Sequence, residues 1–240
     1  EIYTLSLHDA LPIFGASRIF MIVYAVDTGG EYITVEESQR RYSVGKRSFY
    51  VNLTNRCPCA CTFCLRPLKH MAEESTLWLK REPTVKEVQT ELAAIPWPLV
   101  HEVVFCGFGE PTMRLQDLVT LLRWVKGEHP EVNTRVNTNG LSDLVYERDT
   151  APDFNGGILD TISISLNASN AARYLALTRN RFGIGSYEAM LTFAQHCKAY
   201  VPQVIMTVVD QVEDSDEIAA CRAICETRGL SLRVRVYEAS

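Results

Sequence analysis

From residue 49 onward, short segments with the pattern of β-strands alternate with longer amphipathic segments that are typical of helices. The strand pattern fits residues 49–55, 101–107, 133–139, 160–166, 203–209 and 231–237. The helical segments include one with a capping box, which starts at Thr84 and is completed by Glu87. Such a repeat of strand and helix predicts a parallel sheet with right-handed crossovers. No internal repeat, low-complexity tract or linker interrupts it, so a single domain is predicted over residues 49–240.

The predicted strands carry apolar side chains on one face and polar side chains on the other. In residues 162–167 the apolar members are Ile162, Ile164 and Leu166, and the polar members are Ser163, Ser165 and Asn167. Helices cover both faces of a doubly wound sheet, so its strands should be apolar on both. A closed eight-stranded barrel fills its interior with apolar side chains. Six strands with one polar face therefore favour an α/β fold of the open partial (β/α)6 barrel type, with a half-exposed sheet as the alternative.

Composition adds the class of protein. The chain has 47% hydrophobic and 22% charged residues and a net charge of −5, which is typical of a soluble globular protein. No apolar run reaches the roughly 18 residues that a membrane span needs. Eight cysteines in 240 residues are too few for a disulfide scaffold, and four of them lie within residues 57–64. We therefore expect a cytoplasmic protein with a metal or redox site.

The cysteine-rich segment CPCACTFC, residues 57–64, follows the first predicted strand, at the end where α/β folds place their chemistry. A zinc site would combine Cys61 and Cys64 with a distant second pair, and Cys221 and Cys225 supply the only one. That second pair lies on an amphipathic helical segment, where packing explains it more simply. A thioredoxin-like redox pair would use Cys61 and Cys64 alone.

A third interpretation of this segment is an iron–sulfur cluster, whose irons take thiolate ligands. Cys57, Cys61 and Cys64, in the spacing C-x3-C-x2-C, place three thiolates on one tight loop and leave one corner of a cubane open. With Phe63 before the last cysteine, the loop resembles the cluster loop of radical S-adenosylmethionine (SAM) enzymes. The resemblance implies that these three cysteines bind a [4Fe-4S] cluster and are catalytic. Cys59 does not fit the spacing, and we assign it no ligand role.

The resemblance to radical SAM enzymes covers residues 49–238 and includes the ends of the next predicted strands. The sequence GFGEP, residues 107–111, stands where the family carries a G-G-E-P-like motif, although Phe108 replaces its first glycine. This motif implies contacts with the methionine amino group of SAM, and a turn without a ligand is the alternative. NTNG and SISLN end the third and fourth strands, where the family places further contacts. The implied cofactor-binding residues are Phe63, Gly107, Gly109, Glu110, Pro111, Asn137, Asn139, Ser165 and Asn167.

The function implied by this resemblance is that of a radical SAM enzyme. SAM is cleaved reductively to methionine and a 5′-deoxyadenosyl radical, which abstracts hydrogen from a substrate that the sequence does not identify. More narrowly, residues 52–66 and 77–84 resemble radical SAM proteins associated with TatD-family hydrolases, which implies such a hydrolase as a partner. The alternative is a non-catalytic module that binds zinc or a closed cluster. The GFGEP motif favours the enzyme, because a structural zinc site needs no such neighbour.

Charge is distributed unevenly along the chain. Residues 38–86 contain ten Lys or Arg and three acidic residues, a net charge of +7, so the remainder carries −12. A basic stretch around the cysteines suggests a docking surface for an acidic electron donor such as flavodoxin or ferredoxin. Solvated surface charge without a partner, or a surface for nucleic acid or another anionic substrate, would give the same pattern.

The amino-terminal residues need a separate interpretation. Residues 1–13, EIYTLSLHDALPI, resemble the translation of a sequencing-library adapter, so we expect them to be a non-native leader. Met21 would then be a plausible native start. Residues 14–48 are expected to form an amino-terminal extension, for which the sequence pattern predicts no particular structure.

Overall fold

The structure is a computed structural model that describes residues 21–64, 77–210 and 214–235. The expected leader at residues 1–13 lies outside the described residues. The strands are β1 (Val23–Val26), β2 (Tyr32–Thr34), β3 (Arg47–Val51), β4 (Val100–Phe105), β5 (Asn133–Thr138), β6 (Thr161–Ser165), β7 (Gln203–Val209) and β8 (Ser231–Arg235). The helices are α1 (Val35–Arg41), α2 (Val85–Ala93), α3 (Leu115–Glu128), α4 (Ser142–Tyr146), α5 (Ala171–Thr178), α6 (Ser186–Cys197) and α7 (Ser215–Thr227).

These strands form one sheet in the order β2-β1-β3-β4-β5-β6-β7-β8. Strands β3 to β8 are parallel and follow one another in chain order, whereas β1 pairs antiparallel with both β2 and β3. The six predicted strands are therefore confirmed, and their order is that of a (β/α)6 unit. The amino-terminal extension adds a β-hairpin to the sheet, which the sequence pattern did not predict.

The sheet is strongly curved. Tyr50 on β3 and Arg235 on β8 are five strand steps apart, which in a flat sheet would be about 24 Å. Yet both side chains line the same two cavities, of about 330 and 240 Å³. Curvature alone brings these strands to one interior, so the predicted open partial barrel is confirmed.

Burial follows the alternation of the strands. The convex face of the sheet carries side chains that are fully buried under the helices, such as Phe105, Val136, Ile162 and Ile164. The concave face carries Arg135, Asn137, Ser163 and Ser165, which line the interior cavity. The helices lie on the outside, and the predicted capping box is present at the start of α2. Within the described residues, no helix is both long enough and apolar enough to span a bilayer.

Candidate iron–sulfur and SAM site

The cysteine loop begins four residues earlier than the strand pattern predicted, because β3 ends at Val51 rather than at residue 55. Beyond β3 the chain is held by backbone hydrogen bonds to the carboxyl-terminal end of α5. The amide of Ala60 donates to the Thr178 carbonyl at 2.9 Å, and the amide of Thr62 donates to the Leu177 carbonyl at 2.9 Å. A loop of this length would otherwise be mobile, so these bonds fix where its cysteines lie.

The four thiols of the loop differ in exposure. Cys57, Cys61 and Cys64 are partly exposed, whereas Cys59 is 6% exposed and belongs to the core. Hydrogen bonding with Cys57, then with Cys61, raises the pKa of Cys59. Cys59 thus points into the protein but lies directly beside two of the predicted cluster ligands, a proximity that the spacing argument missed. Cys64 borders the smaller of the two cavities that Tyr50 and Arg235 line, the one of about 240 Å³.

The GFGEP segment packs tightly against the chain that leads into the cysteine loop. The amide of Glu110 donates to the carbonyl of Arg56 at 2.8 Å. A methyl group on Gly109 would lie 2.2 Å from the Thr54 carbonyl oxygen, and one on Gly107 would lie 2.1 Å from Asn52 Oδ1. Glycine is therefore required at position 109, where the neighbours are backbone atoms, whereas a side chain at position 107 would have to displace that of Asn52.

Glu110 is 4% exposed, and its carboxylate joins the ends of β4 and β5. Oε1 accepts hydrogen bonds from the Thr112 amide (3.1 Å), the Thr112 hydroxyl (2.8 Å) and the Thr138 hydroxyl (2.7 Å). Oε2 accepts one from the amide of Asn139 at 2.7 Å. Burial raises the pKa of Glu110, and these hydrogen bonds oppose the rise. The carboxylate thus positions Asn139; its predicted contact with SAM stays a prediction.

Asn139 connects the end of β5 to the cysteines. Its Nδ2 lies 3.9 Å from Cys57 Sγ and 3.7 Å from Cys59 Sγ, while its Oδ1 accepts from the Leu141 amide at 3.0 Å. Hydrogen bonds to cluster sulfurs tune the reduction potential of an iron–sulfur centre. Asn139 is therefore more than a turn residue: it lies against the predicted ligands.

The remaining predicted contacts lie at strand ends or on the cysteine loop. Asn137 and Ser165 line the cavity inside the barrel, and Asn137 makes a hydrogen bond with Cys106 that lowers the pKa of this thiol against the dominant effect of burial. Asn167 is buried and has a left-handed backbone (φ 63°), which costs free energy and is common at functional sites. Pro111 is buried, and Phe63 is half-buried on the turn between Cys61 and Cys64.

The arrangement fits the implied cofactors. One anchored loop carries three partly exposed cysteines, and a neighbouring side-chain amide donates toward sulfur. By contrast, the cysteines of the zinc alternative, Cys221 and Cys225, are buried on α7 as part of the core. A larger cavity of about 540 Å³ lies at the amino-terminal ends of β7 and β8, the opposite edge from the cysteines.

The predicted basic surface is partly neutralised. Arg41 forms ion pairs with Asp27 (2.7 Å), Glu31 (2.9 Å) and Glu37. These three acidic residues lie before residue 38 and so were not counted in the net charge of the basic stretch. Two more of its arginines form ion pairs, Arg56 with Glu82 (2.6 Å) and Arg81 with Glu87 (2.5 Å). The surface is therefore less positive than its sequence suggests, and its role in docking an electron donor stays a prediction.

Comparison with known proteins identifies the family. A family model described as the Radical SAM superfamily matches residues 51–223. The chain belongs to the radical SAM superfamily. Enzymes of this family use a [4Fe-4S] cluster and SAM, which are the cofactors that the resemblance of the cysteine loop implied. Members generally need a reductant such as flavodoxin or ferredoxin, and the non-catalytic alternative is not favoured.

Individual relatives agree with this assignment. A GTP 3′,8-cyclase of Corynebacterium glutamicum (strain R) is 30% identical over 199 residues, which are 78% of this chain and 48% of that protein. The chain thus spans about half the length of that relative. Streptococcus suis SuiB bound to S-adenosylmethionine has the same fold, with a TM-score of 0.60 and 16% identity over 85% of this chain and 42% of SuiB. A radical SAM methyltransferase from Sphaerobacter thermophilus matches with a TM-score of 0.53 and 17% identity, over 80% of this chain and 67% of the methyltransferase.

Proposed function

We propose that Cys57, Cys61 and Cys64 would hold the [4Fe-4S] cluster and that the methionine part of SAM would bind beside it. When bound, the cluster supplies the electron that cleaves SAM to methionine and a 5′-deoxyadenosyl radical, which abstracts hydrogen from the substrate. The protein's own contribution is to bind, orient and enclose these groups. Three partly exposed thiols on an anchored loop suit this role.

The observation that carries the proposal is the connection among three segments that are distant in sequence. Glu110 donates its amide to the carbonyl before Cys57, and its carboxylate holds the amide of Asn139. Asn139 in turn directs Nδ2 toward Cys57 Sγ. The cysteine loop, the GFGEP segment and the end of β5 therefore form a single site, to which we assign the cluster and the methionine part of SAM.

Residues on the interior side would complete the cofactor site. We assign contacts with the ribose or carboxylate oxygens of SAM to Ser165, which ends β6, and to Asn167, which follows it, and a further cofactor contact to Asn137. Gly107, Gly109 and Pro111 would present backbone carbonyls to the amino group, and Phe63 would pack beside the cofactor. The support for all of them except Phe63, which lies on the cysteine loop, is their position at the carboxyl ends of the parallel strands, where barrels of this kind hold their ligands.

The test is anaerobic cleavage of SAM. The protein is reconstituted with iron and sulfide and given SAM and dithionite, and 5′-deoxyadenosine is quantified by mass spectrometry. We expect Cys61→Ala to abolish the product and Cys225→Ala, which removes a buried cysteine of α7, to retain it. Equal yields from the two variants, or no product from reconstituted wild type, would contradict the proposal.

The narrower resemblance to radical SAM proteins associated with TatD-family hydrolases has a structural rationale. Its two motif segments bind each other: Asn52 Nδ2 donates to the Leu77 carbonyl at 2.5 Å, and Asn55 Nδ2 donates to the Leu79 carbonyl at 2.7 Å. Both motifs thus belong to one folded unit beside the cysteines. A TatD-family hydrolase is the partner we propose, and isothermal titration of that hydrolase with this chain, cluster loaded, would test it; no heat of binding would contradict it.

GTP is a candidate for the substrate of this chemistry. The similarity to a GTP 3′,8-cyclase over 199 residues favours it. Adding GTP to the cleavage assay should then consume GTP and increase 5′-deoxyadenosine, whereas unchanged GTP would argue against it.

A further inference from the structure

We propose that the cavity inside the barrel binds a phosphate group of the substrate, and that Arg135, Arg233 and Arg235 recognise it. The inference rests on the proposed function, because it assigns a substrate class to the same site. We call this space the polar cavity; it measures about 330 Å³ and its walls include the three arginines with Tyr50, Asn137 and Ser163. Its size is within the range of small-molecule sites.

The charges of the polar cavity favour a dianion. Arg135 Nη2 lies 2.9 Å from Glu102 Oε2, so its charge is largely neutralised. Arg233 and Arg235 have no carboxylate within 4.0 Å among the described residues, and no Asp or Glu from the described residues lines the cavity. Both side chains are exposed, and among the described residues their two guanidinium charges have no ion-pair partner. A phosphate ester, with a charge of about −1.5 to −2 at pH 7, matches them better than a monoanionic carboxylate does.

Unpaired polar atoms point to a ligand with several oxygens. Ser163 is 7% exposed, and its hydroxyl has no hydrogen-bond partner among the described residues. Arg135 Nε and Asn137 Oδ1 are also buried and unpaired there. Buried polar groups in folded proteins are nearly always hydrogen-bonded. Phosphate oxygens would accept from Ser163 and Arg135, whereas Asn137 stays assigned to the cofactor.

Tyr50 connects the polar cavity to the cluster side of the site. Its ring stacks on that of Tyr24, with centroids 5.2 Å apart. Burial raises the pKa of Tyr50, although Arg135 and Arg235 oppose the rise, so the phenol stays protonated and can donate to an anion. Tyr50 and Arg235 also line the adjoining cavity that Cys64 borders. A ligand anchored on the arginines would therefore extend toward the cysteine loop.

The test is calorimetric titration of the reconstituted protein, under anaerobic conditions and with saturating SAM, using inorganic phosphate and acetate as probes. We expect phosphate to bind at one site and acetate to bind at least tenfold more weakly. Arg233→Gln and Arg235→Gln should each raise the Kd for phosphate about tenfold, the effect of one charge-assisted hydrogen bond. Arg222→Gln, which removes the same charge from the exposed face of α7, should leave the Kd unchanged. Melting temperatures and cluster absorbance show that each variant is folded.

Each other outcome would overturn the inference. Absence of phosphate binding, or equal binding by all variants, would show that the arginines do not form the site. Acetate binding as tightly as phosphate would assign the cavity to carboxylates. Phosphate binding that is seen only without SAM would mean that the arginines hold the carboxylate of SAM. Cleavage of SAM is measured in parallel on the wild type, so a failure of the proposed radical chemistry is recognised independently of phosphate binding.

Discussion

The contact between the GFGEP segment and the cysteine loop makes Gly109→Ala the most informative single substitution. The added methyl group would lie 2.2 Å from the carbonyl oxygen of Thr54 and 2.7 Å from that of Arg56. An ordinary contact needs at least 3.4 Å, so the two backbones must separate by about 1.2 Å. Neither neighbour is a flexible side chain that could turn away. The separation would also break the 2.8 Å hydrogen bond from the Glu110 amide to Arg56.

The magnitude follows from these two losses. Overpacking in a well-packed region costs about 1–3 kcal/mol, and a lost hydrogen bond costs about 1 kcal/mol. The free energy of unfolding should therefore fall by about 2–4 kcal/mol, which for a chain of this size lowers the melting temperature by roughly 5–15 °C. Displacement of a binding segment by about 1 Å can reduce a catalytic rate by about 100-fold. We expect a reduction of that order in SAM cleavage.

The assay compares melting temperature and anaerobic formation of 5′-deoxyadenosine in wild type, Gly109→Ala and Gly127→Ala. Gly127 lies in α3, and a methyl group there has no atom within 4 Å. Its replacement by alanine should leave activity unchanged and stabilise the helix slightly. If Gly109→Ala melts and cleaves SAM like wild type, the two segments are not packed as closely as described, and the single-site argument fails.

Two further predictions concern the cysteine loop and the local stability of α2. Cys59→Ser should retain the cluster, measured as iron content and visible absorbance, because Cys59 lies beside the ligands without the ligand spacing; loss of iron as complete as in Cys61→Ala would make Cys59 a ligand. Thr84→Ala removes the capping box of α2 and should lower the free energy of unfolding by about 1 kcal/mol in denaturant titration. Thr90→Ala, in the middle of the same helix, should not lower it, and equal losses from both threonines would refute the capping argument.

The sequence alone determined the fold class and indicated the family. Successive side chains on a strand point to opposite faces of the sheet. The alternation of residues such as Ile162 and Ser163 therefore predicted one apolar and one polar face. The candidate cluster cysteines could be selected from the sequence because they lie together on one short loop. The spacing of Cys57, Cys61 and Cys64 is a local property; the match to residues 51–223 supports the family, and the ligand role of the three cysteines stays a prediction.

Tertiary structure decided which distant residues meet. The β1–β2 hairpin was not predicted, because its two strands have only four and three residues and its pairing with β3 is a long-range contact. The role of Glu110 as the link to Asn139, and the position of Cys59 against its neighbours, depend on how separate segments pack. Curvature of the sheet, finally, brings Tyr50 to Arg235 across five strand steps. Alternation specifies the face on which a side chain lies, but only the curvature of the sheet specifies what it faces.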